Sequence, residues 1–303
     1  MENGVLKKAV VYSKEGNIEY EAEVFIDCTG DGDLSAYAGA VTEIGRENDG
    51  ALMPVTLGFS MANVDTDRLF KWYDSENYGR EINEILDKAE KDGYKVSNWY
   101  SFDRTTVPGI VSVNNGGLKG IGTVDTLNPY DATLAERAGI DIAIQFVEIA
   151  KKYRLPGLEN CYLDRTGAAV GVRETRRVMC DYVLTMEDAI NGTEFEDVIA
   201  RRYGAVDVAG LKEDEDYSMK MKSGYGYPYR ALLPKGLEGL LVAGRCGSYT
   251  HLAMAAGKSM GNMMAIGQAA GIAAAIACRE HITPREVKAA QIQEILKKSG
   301  ADF

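Results

Sequence analysis

The stretch from Gly239 to Cys278, GLLVAGRCGSYTHLAMAAGKSMGNMMAIGQAAGIAAAIAC, most tightly limits what this chain can fold into. Four apolar residues, Leu240 to Ala243, stop on Gly244-Arg245. A short apolar run closed by glycine reads as a buried strand of an α/β sheet. A polar loop follows, with Arg245, Cys246, Ser248, Tyr249, Thr250 and His251. Residues from about Ser259 to Cys278 are then Ala, Gly, Met and Ile with almost no charge, so a helix buried on every side is expected. A strand, a polar loop at its carboxyl end and a helix aimed back at that loop is how open α/β sheets make ligand sites. The unpaired N–H groups at such a helix N-terminus favour an anionic or electron-rich ligand.

Residues 5–13 and 18–28 alternate and are rich in β-branched side chains, with a hairpin turn expected over Ser13–Asn17. The second run ends Val24-Phe25-Ile26-Asp27-Cys28-Thr29-Gly30, an apolar strand meeting a glycine turn, and Asp31 to Ala38 reads as a short helix. Gly30-x-Gly32-x-x-Ser35 comes close to the GxGxxG phosphate loop. Its Asp31 and Asp33 would repel a pyrophosphate, and no βαβ unit with an acidic strand end follows. Capping a helix or bonding sugar hydroxyls suits these carboxylates better. Further along, residues 52–62 read as a strand, 65–93 as helical, and 94–130, with Asn114-Asn115-Gly116-Gly117, as β and loop facing a substrate. A helix is expected from about Ala132 to Tyr153, a strand over Val178–Thr185, a short helix over Glu194–Arg202, and an exposed acidic loop over Lys212–Asp216. Thr283-Pro284-Arg285-Glu286 is a capping box that opens a tail helix closed by Gly300.

The net charge of −11 argues against nucleic acid or an anionic membrane as the main partner. Asn262, Gln268 and the many small residues leave the 259–278 helix too weakly apolar for a membrane span. No leader sequence is read at the N-terminus, and the five scattered cysteines, with no CxxC pair, point to a reducing, cytoplasmic setting. With only His251 and His281, a His-based metal site is not expected. His281 suits the C-terminal end of a helix. His251, in the loop after a buried strand, is either structural or catalytic. Arg173, Arg176 and Arg177 are either a solvated charge run or include a buried guanidinium that needs an anion, such as a substrate carboxylate or cofactor phosphate. Cys246 and the methionines Met260, Met263 and Met264 read as packing.

Five blocks in order resemble one family: VFIDCTGDGDLSAYAGA (24–40), LMPVTLGFSM (52–61), GVRETRR with DYVLT (171–185), YPYRALLPKGLEGLLVAGRC (227–246) and GQAAGIAAA (267–275). The chain resembles the C-terminal two-thirds of FAD-dependent oxidoreductases distantly related to the fumarate reductase and succinate dehydrogenase flavoproteins. The resemblance implies an α/β fold, an incomplete Rossmann-like FAD-binding domain interrupted by a β-rich α+β substrate-facing domain. It places FAD-domain segments at 1–48 and 166–282, the substrate-facing domain at 49–165 and a C-terminal helix at 283–303. The cofactor implied is FAD, held by Thr29, Gly30, Asp31, Gly244, Arg245, Ser259, Met260, Gly261 and Met263, with the helix N-terminus at the flavin pyrimidine edge. His251, Arg245 and Arg176 are the catalytic candidates implied for hydride transfer to or from a small organic substrate.

Two departures from the family pattern stand out. The GxGxxG unit that holds the ADP half of FAD is missing from these residues, and Gly257-Lys258-Ser259 replaces an Arg-containing turn, with Lys258 the candidate to keep its positive charge. The expected partner is therefore a GxGxxG-containing polypeptide or a second copy of the chain. The alternative is a non-catalytic partner subunit, or a truncated remnant of the flavoprotein fold.

Overall fold

The computed structural model describes residues 1–117, 124–204, 224–301 and 303. The expected acidic loop at 212–216 lies outside the described residues. The chain divides into two compact units, one built from Met1–Leu52 and Glu174–Phe303, the other from Met53–Arg173.

In chain order, the first unit begins with β1 (Lys8–Ser13), β2 (Gly16–Glu21), β3 (Phe25–Asp27), α1 (Asp33–Ala38) and β4 (Thr42–Ile44). The second unit holds β5 (Phe59–Ala62), α2 (Thr66–Tyr73), α3 (Tyr78–Lys91), β6 (Tyr100–Arg104), β7 (Val111–Asn115), α4 (Pro129–Lys152) and β8 (Tyr162–Thr166). The first unit resumes with β9 (Arg176–Val178), α5 (Met186–Asn191), β10 (Val198–Arg202), β11 (Tyr225–Pro228), β12 (Leu240–Val242), α6 (His251–Ala255), α7 (Met260–Glu280) and α8 (Ala289–Lys298). The fold is α/β with several small sheets.

In the second unit, four antiparallel strands lie in the order β6-β7-β5-β8. Alternation along β7 buries Val111, Val113 and Asn115, and Asn115 donates to the Leu57 carbonyl at 2.8 Å. The core is aromatic: Phe146 of α4 stacks on Tyr100 of β6 with centroids 4.0 Å apart and meets Phe59 edge-on at 5.9 Å. Gly139 lets α4 come close, since a Cβ there would lie 2.5 Å from Leu57 Cβ. The helical region expected over 65–93 is two helices, because Ser75 Oγ bonds the Trp72 carbonyl at 2.7 Å just past the end of α2.

In the first unit, β3 and β12 pair in parallel, with Phe25 opposite Leu240, Ile26 opposite Leu241 and Asp27 opposite Val242. Their apolar faces join Leu6, Val178, Cys180, Leu237 and Cys246 in one core. β1 and β2 form the expected hairpin, and β4 pairs with β9. The helix expected over 194–202 is instead β10, which pairs antiparallel with β11. Val198 and Ile199 are β-branched, and a partner strand distant in sequence overrode the local helical reading. The strand expected over 178–185 stops at Val178; the Cys180 amide then turns to Ser248 Oγ at 3.1 Å and leaves the ladder.

The helix α7 departs from full burial. Asn262, Ile266, Ala269, Ala270, Ala273, Ile276 and Ala277 face inward, whereas Met260 and Met264 are 84% and 75% exposed. Low charge predicted burial; the opposite face of small residues and methionines has nothing packed on it among the described residues. By length and composition α7 alone among the described helices could cross a membrane. The capping box at Thr283 and Glu286 forms, but it caps a 3₁₀ turn over Pro284–Glu286, and α8 begins at Ala289.

Phe146→Ala should lower stability by about 3–5 kcal/mol, since it removes the ring at the centre of the second core. Ile144→Ala, on the exposed side of the same helix, should change it by less than about 0.5 kcal/mol. Urea unfolding midpoints of the two variants check the contrast.

Candidate functional site

Parallel pairing of β3 and β12 brings two loops to the same edge, the carboxyl ends of both strands. Asp27, the last residue of β3, is buried and organises the first loop. Its Oδ1 accepts from the Thr29 amide at 3.0 Å and the Thr29 hydroxyl at 2.8 Å. Its Oδ2 accepts from the Ser35 amide at 2.8 Å and the Ser35 hydroxyl at 2.6 Å. Thr29 Oγ1 in turn accepts the Asp33 amide at 3.0 Å. The chain can turn this tightly because Gly30 and Gly32 take left-handed conformations, at φ of 86° and 65°.

The two carboxylates in that turn do not repel a ligand as bare charges. Asp31 sits between Arg245 Nη2 at 2.9 Å and the Thr175 hydroxyl at 2.6 Å, and Asp33 meets Arg176 Nη2 at 2.6 Å. The amides of Thr29, Asp33 and Ser35 around this turn already have acceptors within it. Arg245 packs against Gly30 so closely that a Cβ there would lie 2.7 Å from Nη2. Its Nη1 is buried without a hydrogen-bond partner among the described residues.

The residues Glu174 to Arg177 link this turn to a second, buried cluster. The Arg177 and Glu174 side chains are almost fully buried and form an ion pair through Nη1 and Oε1. Arg177 Nε donates to the Tyr249 carbonyl at 3.0 Å and Nη2 to the Gly45 carbonyl at 2.8 Å. His251, also buried, sets Nδ1 at 2.8 Å from Glu174 Oε2. It opens α6, whose N-cap Thr250 accepts from the Ala253 amide at 3.3 Å. The His251 amide donates to Glu47 at 3.0 Å. Burial works to raise Glu47, but that bond, another from its own amide and the nearby Arg177 charge hold it below the usual carboxylate range. The anion that a buried arginine of the 173–177 run needs is thus Glu174 of the same chain. A carboxylate on Nδ1 selects the tautomer that carries its proton there and leaves Nε2 as a base. No described residue hydrogen-bonds Nε2.

Ser259 is the N-cap of α7 but makes no side-chain cap bond, and Met260 and Gly261 after it are exposed. Tyr249 bridges this helix to β12, with its hydroxyl 3.0 Å from the Gly244 carbonyl and 3.9 Å from Met263 Sδ. Of the residues singled out by sequence, Thr29, Gly30, Asp31, Arg245 and Arg176 form one cluster, and His251 joins it through Glu174 and Arg177. Met263 and Gly244 meet through Tyr249, whereas Ser259, Met260 and Gly261 show no contact with that cluster. Cys246 is a buried thiol pushed up to about 12 by burial and by Asp27, so it is neutral packing rather than a nucleophile. Among the described residues no three or more His, Cys, Asp or Glu side chains converge on a metal position.

Asp27 and Glu174 organise this cluster, and the sequence marked neither of them individually, whereas Tyr249 was named among the polar loop residues after β12. Asp27 had a readable signal, since an Asp two residues before Thr at a strand end is an Asx-turn pattern.

A family model described as FAD dependent oxidoreductase matches residues 1–296. No curated protein and no solved structure matches the chain.

Glu174→Ala leaves the Arg177 charge buried without its carboxylate and should cost about 3–5 kcal/mol. Glu43→Ala, half-exposed and 3.7 Å from the same guanidinium, should cost less than about 1 kcal/mol. Thermal melts of both variants compare the two.

Proposed function

The chain belongs to the FAD dependent oxidoreductase family, and on that premise we propose that the carboxyl ends of β3 and β12, with the N-terminus of α7, hold the flavin-ring half of FAD. The observation that carries this reading is the buried Nη1 of Arg245 in the loop after Gly244, which has no hydrogen-bond partner among the described residues. Gly244 at φ 92° and Gly261 both border open space, so a planar ring can approach the backbone there. The uncapped amides of α7 add positive potential suited to an electron-rich pyrimidine edge. Bound FAD supplies hydride transfer to or from a small organic substrate.

In this reading Thr29, Gly30 and Asp31 line one side of the ring site, and Gly244, Arg245, Ser259, Met260, Gly261 and Met263 the other. Asp31 anchors one arm of Arg245 and leaves Nη1 to the ligand. Glu174 holds His251 Nδ1, and Nε2 takes or returns the substrate proton. Arg177 pairs with Glu174, and Arg176, tethered by Asp33, contributes positive charge. Residues 1–48 and 166–282 then make up the Rossmann-like flavin domain, 49–165 the substrate-facing part and 283–303 the tail. The inserted unit does carry a cleft of about 360 Å³ lined by Phe59, Ser60, Thr105, Ser112 and Arg165. Five free thiols support a reducing, cytoplasmic compartment.

The amides of Thr29, Asp33 and Ser35 around the Gly30–Gly32 turn are committed to Asp27 and Thr29, which leaves this turn poorly suited to the ADP half of FAD. We propose that a GxGxxG-bearing part outside these 303 residues completes the cofactor site, on a separate polypeptide or in a homo-oligomer. The same observation favours a second reading, a partner subunit that binds no flavin itself. Purified chain mixed with a GxGxxG-bearing polypeptide should show visible flavin absorbance, and the chain alone should bind FAD weakly. A colourless mixture sinks the first reading, and tight one-to-one binding by the lone chain sinks the second.

In the flavin-loaded protein, His251→Asn should reduce turnover about 10²–10⁴-fold while retaining the flavin spectrum. An unchanged rate removes His251 from the proton step. Because α7 exposes Met260 and Met264, the lone chain should self-associate at high concentration in light scattering.

A further inference from the structure

Arg202 ends β10, and its whole side chain is buried. Its Nε, Nη1 and Nη2 have no hydrogen-bond partner among the described residues. Around it stand the rings of Tyr249, Tyr225 and Tyr227, with centroids 4.6, 5.5 and 6.0 Å from the guanidinium carbon. Ring faces attract a cation but accept none of its five N–H bonds in the way an oxygen does. A buried charge with no counter-ion is among the costliest states a side chain can occupy.

The tyrosines are not the missing anion. Their hydroxyls donate to backbone carbonyls, Tyr225 to Ala256 at 3.2 Å, Tyr227 to Ala231 at 3.3 Å and Tyr249 to Gly244 at 3.0 Å. Burial raises all three, with Tyr249 pushed up to about 12, so they stay neutral phenols near pH 7.

The fourth wall is the connection between α6 and α7. Gly257 lies so close that a Cβ there would sit 2.6 Å from Arg202 Nε and 2.7 Å from Nη2. Asn262 in the first turn of α7 pins that connection to the end of β10, since its Nδ2 donates to the Gly257 carbonyl at 3.1 Å and to the Tyr203 carbonyl at 2.7 Å. The guanidinium is therefore held beside the N-terminus of a 21-residue helix whose N-cap makes no side-chain bond.

We propose that Arg202 and Gly257, on the connection that leads into α7, form a binding site for a small carboxylate. The free planar fork of Nε and Nη2 matches a carboxylate in two parallel bonds. One guanidinium is balanced by one negative charge, whereas a phosphate dianion would leave a net charge buried. The ring walls suit an apolar carbon attached to the carboxylate. The site stands apart from the Arg177 guanidinium, which already has Glu174.

The test is isothermal titration and thermal melting of the purified chain with acetate, propionate and inorganic phosphate at constant ionic strength, against chloride. Acetate and propionate should bind and raise the melting temperature. Arg202→Met should weaken carboxylate binding about 10–100-fold and, without carboxylate, melt at or above the wild-type temperature. Gly257→Ala, which displaces the guanidinium, should also weaken binding, whereas Arg201→Gln on the other face of β10 should leave it unchanged. The proposal is overturned by a wild type that ignores carboxylates, by an unchanged carboxylate response in both Arg202→Met and Gly257→Ala, or by equal loss in Arg201→Gln. A phosphate response as large as the carboxylate response overturns the assignment of ligand class.

Discussion

The buried carboxylate of Glu174 holds together segments that the chain order keeps far apart. Arg177 pairs with it, and the remaining guanidinium donors of Arg177 reach the carbonyls of Gly45 and Tyr249. His251 completes the carboxylate from a third segment. An ion pair taken out of water gains little net stability, because desolvation offsets most of the attraction. Its effect here is one of geometry. The loop after β4, the approach to β9 and the loop after β12 must all keep their positions, since any one that drifts leaves a buried charge or carbonyl unmet.

Asp27 does the same work on a smaller scale. Four hydrogen bonds to one carboxylate fix the turn from β3 into α1. The glycines serve the turn and the close approach of Arg245, and the Thr29, Asp33 and Ser35 amides are taken by Asp27 and Thr29. The pairing of Asp31 with Arg245 and of Asp33 with Arg176 offsets within the chain the charge repulsion that the sequence leads one to expect there.

The elements legible in sequence are those whose signal is local. The β1–β2 hairpin, α4 and the capping box at Thr283 follow from turn chemistry, helical spacing and a short reciprocal cap. What escaped was set by partners distant in the chain. Val198–Arg202 is a strand because Tyr225–Pro228 lies beside it, and α7 is half-exposed although its composition reads as core. At the site, Arg245, Arg176 and His251 could be named from residue type and position. Glu174 and Asp27 could not be assigned their parts, because a carboxylate earns burial only through neighbours that the fold delivers.

The two fully buried arginines of the first unit set out one rule in two states. Arg177 lies among a carboxylate and two carbonyls, and its charge is matched within the chain. Arg202 lies among aromatic rings and a glycine, and among the described residues its charge is not. Tyr249 touches both, giving its carbonyl to Arg177 and its ring to Arg202, so the two guanidinium groups are held by one residue of the loop that leads from β12 to α6. An anion arriving at Arg202 would therefore act on the far side of the same tyrosine that carries Arg177, and through Arg177 on Glu174 and His251. That chain of contacts gives a physical route by which occupancy at one arginine can alter the position of the histidine at the other.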